Sequence, residues 1–299
     1  MLSNLQILID APIFNVQLLL NGVTVGAIFA LAAYGLALVW GVMNVKNLCQ
    51  GEFVIMGGYI AYYMYTKGIH PMFALPVAIV LMFMFGWMVY RLIIAKVIDR
   101  DLFTSLLATF GLAIVLQQAL NLVFGPEVVT AESGMANRII WGNVAVQDIR
   151  VLSLIVACLL AVAVVLFMKN SRMGQAIRAT AQDARAAKVM GIDTDLVYAF
   201  TYSLNAAICG AAGVLISMIW VIQPFYGITH SIRAFVIVVA AGLGNLPGVI
   251  VAGLGLGVAE QYGGFVLGTD FQQVTVTGLL VVVLVILQIL MARHRQVVE

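Results

Sequence analysis

The sequence predicts an all-α polytopic membrane protein with about eight to ten transmembrane helices, some of them broken or re-entrant. Hydrophobic residues make up 63% of the 299 positions and charged residues only 9%, whereas a soluble domain carries about 25% charged residues. Long apolar segments recur along the whole chain, and the basic residues cluster between them. So few charges cannot cover a water-facing surface, and lipid must therefore be the solvent for much of it.

The helix count follows from the length of the apolar segments. A bilayer core of about 30 Å requires roughly 20 apolar residues per helix. Segments of suitable length are residues 16–40, 71–94, 103–124, 151–168, 196–222, 247–267 and 274–292. Two further segments, residues 53–65 and 232–243, are shorter or interrupted. We therefore expect about nine crossings within a single transmembrane domain that covers residues 1–299.

The basic residues predict the orientation of these crossings. They cluster in residues 91–100, 169–188 and 293–295. Loops rich in Lys and Arg stay in the cytoplasm. Nine crossings with an outside N-terminus place all three clusters in the cytoplasm and the loop 125–150 outside. We therefore predict an outside N-terminus and an inside C-terminus.

The two interrupted segments fall in the two halves of the chain, and glycine is dense near both, in residues 51–68 and 242–268. Small residues let membrane helices approach closely. Broken helices are tolerated in a membrane only where the exposed backbone is buried or lines a cavity. Paired broken segments often indicate a central solute site in a repeat-built transporter.

Polar residues inside the spans are the candidates for this solute site, because such residues usually face the interior of the bundle. We expect a translocation path lined by Asn47, Gln50, Glu52, Thr109 and Asn205. Hydrogen bonding between helices is the alternative role for the uncharged members. For Glu52 the alternative is an interfacial pair with Lys46. Glu260 lies late in its span, where we expect it to approach the outer headgroups.

Residues 171–195 form the most informative loop, because they are rich in alanine, prone to form a helix and too polar to cross a membrane. We predict one short helix over residues 172–191 that ends at Gly191. Helical spacing places three basic residues near one face, and three other residues form a face suited to close packing. The basic residues are Arg178, Arg185 and Lys188, and the packing face is Ala184, Ala187 and Met190. Two interpretations remain: a solvated loop that obeys the positive-inside rule, or a helix that docks on a cytoplasmic motor.

A family resemblance bears on this choice. The pattern Ala186-Ala187-x-x-x-Gly191 resembles the core of the coupling loop in permeases of ATP-binding-cassette importers, although Arg185 stands where a Glu is usual. The wider string G-Q-A-I-R-A-T-A-Q-D-A-R-A-A-K-V-M-G-I-D, which includes Asp183, resembles the permeases of the branched-chain amino-acid importer family. That family also includes importers of urea and short amides.

Four more segments resemble this family, in the family's order. They are residues 21–41, the signature-like N-L-C-Q-G-E at residues 47–52, A-T-F-G-L at residues 108–112, and G-L-G-N-L-P-G at residues 242–248. Cys49 and Gln50 replace the usual Ala-His, and Ala241 replaces a Gly. The first departure falls at an expected pathway position.

The resemblance implies an importer-permease bundle in the bacterial inner membrane. It implies a path for small polar solutes, most simply branched-chain or other neutral amino acids. The implied partners are cytoplasmic ATP-binding subunits, a second permease subunit (a homologue or a second copy) and a periplasmic solute-binding protein. Membrane lipid is a further expected partner. In this interpretation the ATPase contacts lie in the loop 171–195, at Arg178, Asp183, Arg185, Ala186, Ala187 and Gly191.

Other functional classes compete with this interpretation. A urea or short-amide importer permease is one alternative. A stand-alone secondary transporter or channel is another, with Glu52 or Glu260 as its proton or ion site. A membrane-embedded enzyme is the weakest, because the sequence contains no phosphate-binding loop, H-E-x-x-H or G-x-S-x-G motif. We therefore expect no catalysis, metal or cofactor in this chain, ATP bound only by partner subunits, and no nucleic acid.

Overall fold

The fold is a bundle of membrane-length helices with one small β-hairpin. A computed structural model describes residues 12–98, 100, 102–134, 138–141, 144–242, 244–268, 271–279 and 281–283, together with positions 8 and 285. The elements are α1 (Pro12–Met43), α2 (Gln50–Thr66), α3 (Pro71–Val97), α4 (Leu102–Phe124), β1 (Arg138–Trp141), β2 (Val144–Gln147), α5 (Asp148–Asn170), α6 (Arg172–Gln182), α7 (Ala184–Val189), α8 (Thr194–Ile219), α9 (Gly227–Ala241), α10 (Leu246–Leu267) and α11 (Gln272–Val283).

The predicted all-α membrane fold is confirmed. Seven helices in the described part of the chain are long and apolar enough to cross a membrane: α1, α3, α4, α5, α8, α10, and α9 with the 3₁₀ turn that precedes it. The predicted short segment at residues 53–65 is α2, which has 17 residues. The last predicted crossing begins as α11, and the basic residues Arg293 and Arg295 lie outside the described residues. The expected loop 125–150 contains an antiparallel hairpin that pairs Arg138 with Gln147.

Two helices form the centre of the bundle. The spans of α1 and α8 are buried over most of their length, whereas the spans of α4 and α5 are mostly exposed. Helix α8 packs against α1, α2 and α3, and α1 also packs against α10. Apolar side chains cover the exposed faces of α4 and α5, including Leu122 and Leu159. These faces match the lipid-facing surface that the composition predicts.

The bundle has two distinct ends, because β1–β2 and α6–α7 flank opposite ends of α5. We call them the hairpin end and the loop end. At the loop end Asp195, in the first turn of α8, accepts a 2.7 Å hydrogen bond from the Tyr90 hydroxyl. The same carboxylate forms a 2.5 Å salt bridge with Arg91. Both partners lie in a π-helical turn of α3, Tyr90–Ile94, so α3 and α8 are antiparallel and tied together at this end.

Glycine allows the central helices to meet backbone against backbone. A Cβ at Gly57 of α2 would lie 2.6 Å from the Gly210 Cα of α8 and would also overlap its carbonyl oxygen. At the α1–α10 crossing, a Cβ at Gly26 would lie 2.7 Å from the Gly253 carbonyl oxygen. Cβ atoms in real structures do not approach backbone this closely, so any side chain here must push the helices apart. The glycine-rich segments therefore serve close packing, as the sequence predicts.

Replacement of Gly57 by Ala should destabilise the bundle, because the new methyl group overlaps the backbone of α8. Overpacking of this kind costs about 1–3 kcal/mol. We expect a lower apparent melting temperature, measured by heating detergent-solubilised protein and following the monodisperse fraction by size-exclusion chromatography. The matched control is Gly111→Ala in α4, because a Cβ there has no neighbour within 4 Å. Equal melting temperatures for the two variants would contradict the close α2–α8 contact.

Candidate translocation site

A break between α1 and α2 lies inside the bundle. Helix α1 ends at Met43, and Asn44 adopts a left-handed conformation with φ 52°, which Asn tolerates better than most residues. The non-helical residues that follow include Val45, Asn47 and Cys49, all of them buried. The chain therefore passes through the protein interior without helical hydrogen bonds, and other groups must satisfy its backbone.

Side chains supply these hydrogen bonds. The Asn47 carboxamide oxygen accepts from the Cys49 backbone N–H at 3.1 Å. The Thr109 hydroxyl of α4 accepts from the Leu48 N–H at 3.3 Å. The Ser231 hydroxyl of α9 donates to the Leu48 carbonyl at 3.0 Å and accepts from the Gly51 N–H at 2.8 Å. The break is thus held in place by residues from α4 and α9.

Gln50 joins three helices at the first turn of α2. Its side-chain amide nitrogen donates to the Ala32 carbonyl of α1 at 2.8 Å and to the Asn205 carboxamide oxygen of α8 at 3.0 Å. The same nitrogen lies 2.9 Å from the Cys209 sulfur. Asn205 is near the middle of α8, so α2 begins deep in the bundle. The hydrogen bonds of Gln50 therefore join α2 to α1 and, through Asn205, to α8.

Glu52 lies where the two broken helices begin. Its carboxylate packs against Gly227, the first residue of α9, and a Cβ at Gly227 would overlap that carboxylate. The side chain is buried, and its Oε2 atom has no hydrogen-bond partner. Lys46 does not pair with it; the Lys46 ammonium instead lies 5.3 Å from the centre of the Trp40 ring. The interfacial Glu52–Lys46 pair considered from the sequence is therefore wrong.

The five predicted pathway residues thus share one region. Asn47, Gln50 and Asn205 lie close together, Thr109 reaches the same break from α4, and Glu52 lies two residues after Gln50 in the first turn of α2. All five are buried. The two interrupted segments meet here, since Gly51 and Gly227 are in backbone contact. The N-terminal turns of two helices, where the helix dipole is positive, therefore lie side by side at a buried place that contains an acidic side chain.

A cavity of about 330 Å³ lies nearer the hairpin end, and none of these five residues lines it. Its lining includes Trp220 from the end of α8, Arg233 from α9, and Glu260 from α10. Arg233 and Glu260 form a buried salt bridge. Glu260 is therefore buried and paired with Arg233 inside the protein. Its expected approach to the outer headgroups stays a prediction. The sequence signal for Arg233 was its charge inside the second broken segment.

The predicted helix 172–191 is wrong in one respect: it is two helices, α6 and α7, separated at Asp183. Asp183 has an extended backbone, with φ −154° and ψ 105°. Its carboxylate accepts from the backbone N–H groups of Arg185 and Ala186 at 2.8 and 2.9 Å. This is an N-cap, which starts a new helix and satisfies its free donors. Gly191 follows α7 with φ 85°, and the prediction that it ends the helix is confirmed.

The two predicted faces of this loop do not form. Ala187 is buried, whereas Met190 is 81% exposed and Val189 is 87% exposed. Arg178 lies on α6 and donates to the Met168 carbonyl at the end of α5, whereas Arg185 lies on α7 beyond the break. The exposed tip of the loop is therefore Val189 and Met190, flanked by exposed Arg185, Ala186 and Lys188.

Comparison with known proteins places this architecture in a family. The family model described as branched-chain amino acid transport system, permease component, matches residues 18–290. The chain belongs to this family. The permease protein LivH of Salmonella typhimurium is 31% identical over 290 residues, which cover 92% of this chain and 94% of LivH. BraD of Pseudomonas aeruginosa is 31% identical over 283 residues, which cover 90% and 92% of the two chains.

Among solved structures, PsaBC from Streptococcus pneumoniae in complex with Fab is 13% identical, with a TM-score of 0.47 and coverage of 88% and 89%. Membership in the branched-chain permease family, together with the seven membrane-length helices, makes this chain a multi-pass protein of the inner membrane. A permease component acts as one part of a transport system. The family match therefore favours the transport interpretation over the stand-alone and enzyme classes.

Replacement of Gln50 by Leu should destabilise the junction, because it removes the donor that bridges α1 and α8 and leaves the buried Asn205 oxygen with a weaker partner. A buried polar group left without its hydrogen bond costs about 1–3 kcal/mol. We expect a lower apparent melting temperature in detergent. Gln118→Leu, at an exposed position of α4, is the matched control and should not lower it. A Gln50→Leu protein as stable as the control would contradict the bridging role.

Proposed function

We propose that this chain is the permease subunit of an ATP-driven importer that moves branched-chain or other neutral amino acids. The supporting observation is the family match over residues 18–290. The relatives LivH and BraD are described as permease proteins of high-affinity branched-chain amino acid transport systems. The direct test is ATP-dependent uptake of labelled L-leucine into proteoliposomes that contain the permease with its ATPase and solute-binding partners. Uptake of urea or acetamide instead of leucine would favour the alternative importer class.

The proposed partners occupy the two ends of the bundle. In the orientation predicted from the basic residues, the loop end faces the cytoplasm and receives the ATP-binding subunits. The hairpin end then faces the periplasm and receives the solute-binding protein. A second permease subunit, either a homologue or a second copy, completes the path within the membrane. The chain itself binds no ATP in this proposal.

The tip of α7 supplies the proposed contact with the ATPase. Val189 and Met190 are large apolar side chains exposed at the end of a polar loop, and exposed apolar groups there indicate a protein contact. Arg185 and Lys188 lie beside them and can pair with acidic residues of the partner. Ala187 is buried beneath the tip. It therefore supports the contact from below, and of the packing face predicted from the sequence it is Met190, together with Val189, that makes the proposed contact.

Fixed contacts connect this tip to the bundle. Arg178 holds α6 to the end of α5 through the Met168 carbonyl. Asp193 caps α8 by accepting from the Leu196 N–H at 3.1 Å, and the neighbouring Asp195 binds Tyr90 and Arg91 of α3. A displacement of the tip by the ATPase would therefore act on α3, α5 and α8 together.

We place the translocation path at the junction of α2 and α9, with Glu52 as its acidic member. This placement is supported by the meeting of two broken helices and by the unpaired Oε2 atom of Glu52. Ionisable groups inside a membrane are costly and are usually kept for function. Asn47, Gln50, Thr109 and Asn205 form the polar frame that holds the junction and lines the path as the helices move.

Replacement of Met190 by Glu should reduce leucine uptake at least about tenfold, because a buried unpaired charge at the ATPase contact costs several kcal/mol. The permease itself should keep its melting temperature, since Met190 is exposed. Uptake, ATPase rate and subunit assembly would be measured in the reconstituted complex. Gln182→Glu, which adds the same charge at an exposed position on the other side of Asp183, is the control. Normal uptake by the Met190→Glu complex would contradict the docking role and favour the alternative interpretation, a solvated loop.

Replacement of Glu52 by Gln should lower uptake several-fold while the protein stays folded, because the change keeps the shape and removes the acidic group from the proposed path. Glu127→Gln, at an exposed position outside the helices, controls for the loss of one carboxylate. Uptake and melting temperature would be measured on the same preparations. Uptake equal to that of the control would remove Glu52 from the path.

A further inference from the structure

The cavity near the hairpin end contains a charged pair that the path described above does not use. Arg233 of α9 and Glu260 of α10 are joined by two hydrogen bonds, from Nε to Oε2 at 3.1 Å and from Nη2 to Oε1 at 2.5 Å. The exposed fraction of each side chain is small, 15% for Arg233 and 5% for Glu260. Both residues line the cavity of about 330 Å³, so the two opposite charges border the same space.

The guanidinium of Arg233 is held in a fixed position but keeps free donors. Its central carbon lies 4.8 Å from the centre of the Phe29 ring, and Phe29 stacks on Trp220 at 5.8 Å with an interplanar angle of 14°. Stacking and a bidentate carboxylate contact together fix the plane of the group. An arginine carries five N–H donors, and Glu260 uses two of them. The other three can bind a second carboxylate without breaking the pair.

The rest of the cavity lining combines apolar and uncharged polar side chains. The apolar members include Phe29, Ile216 and Trp220, and the polar members include Gln261, Gln272 and Gln273. The volume is at the lower end of the roughly 300–1,000 Å³ range of small-molecule pockets. The space therefore suits a small solute that has both charges close together and one apolar side chain. A neutral α-amino acid has this chemistry.

A purely structural clamp explains these residues less well. Burying two charges costs more than burying apolar side chains of the same size, and apolar replacements of buried salt bridges are often neutral or stabilising. Helices α9 and α10 already pack against each other and against α1. The two helices are already held by other contacts, so holding them does not account for the free-energy cost of burying the charged pair. The pair also lines a cavity.

We propose that this cavity is a binding subsite for the zwitterionic backbone of a neutral α-amino acid, with Arg233 binding the carboxylate and Glu260 binding the ammonium group. Phe29 and Trp220 pack against the side chain of the solute. Thr229 and His230 also line the cavity, and the next residue, Ser231, bonds to the α1–α2 break. The subsite therefore borders the helix junction on its hairpin-end side. This inference rests on the proposed function and names the site where the solute is first held.

The test measures binding of labelled L-leucine to the permease–ATPase complex without a solute-binding protein, so that only the membrane subunits can bind it. Leucine amide, which lacks the carboxylate, and 4-methylpentanoate, which lacks the ammonium group, serve as competitors. We expect each to bind at least about tenfold more weakly than leucine, since each loses a charge-assisted contact. The absence of saturable leucine binding, or competitors that match leucine, would overturn the proposal.

Two variants test which residue binds which group. Arg233→Gln should lower the affinity for leucine at least about tenfold but change the affinity for leucine amide little, because the amide has no carboxylate for Arg233 to bind. Glu260→Gln should lower the affinities for leucine and leucine amide but change the affinity for 4-methylpentanoate little. Arg172→Gln and Glu127→Gln remove single charges from exposed positions and should change none of these affinities. Equal weakening of all three ligands by both variants would overturn the assignment.

The double variant Arg233→Met/Glu260→Met separates a clamp from a binding site. If the salt bridge serves only to hold the helices together, the two methionines should return the melting temperature and the leucine affinity from the values of the single variants to those of the wild type. That result would overturn the subsite. A subsite predicts that leucine affinity is lost at an unchanged or higher melting temperature. Uptake separates a failure of the proposed function from a failure of the subsite. No leucine uptake by the wild-type complex would contradict the proposed function, whereas normal uptake and binding by both single variants would contradict the subsite alone.

Discussion

The structure depends on one constraint: backbone groups inside a membrane protein must find hydrogen bonds within the protein. A continuous helix meets this requirement by itself, but the chain leaves the helical conformation between Met43 and Gln50 in the middle of the bundle. The freed groups of this break are bound by side chains from Asn47, Thr109 and Ser231. Helices α4 and α9 must therefore lie where they do, and the glycine contacts of α2 with α8 and α9 bring the backbones close enough for these short side chains to reach.

The fold could be predicted to a large extent from the sequence, because the length of apolar segments and the distribution of charges act over many residues. Both interrupted segments were recognised from their shortness and their glycines, and they meet in the structure through Gly51 and Gly227. Their exact contacts could not be predicted, because periodicity does not show which faces of two helices meet. Gln50 was a candidate because it is polar inside a span, yet its partners Ala32 and Asn205 are far away in sequence.

The wrong predictions arise where two local interactions compete for the same residues. The loop 172–191 has a helix-forming composition throughout, but Asp183 can cap a new helix as well as continue an old one, and the cap prevails. Ala184, Ala187 and Met190 are predicted to share one packing face, but Ala187 is buried against the protein, whereas Met190 follows the last residue of α7 and is exposed. Glu52 and Lys46 are close in sequence, but the start of α2 directs Glu52 towards Gly227 while Lys46 stays beside Trp40.

The backbone contacts of the central helices have a consequence for the entropy of assembly. In a bilayer, lipid tails are as apolar as leucine side chains, so helices gain little from leaving them. A pair of helices joined through leucine or methionine would also lose rotamer freedom, whereas glycine has none to lose. Gly26 and Gly253 of α1 and α10, and Gly57 and Gly210 of α2 and α8, therefore bring their helices together without this loss. The favourable contacts between the packed backbones are therefore not offset by a loss of side-chain entropy.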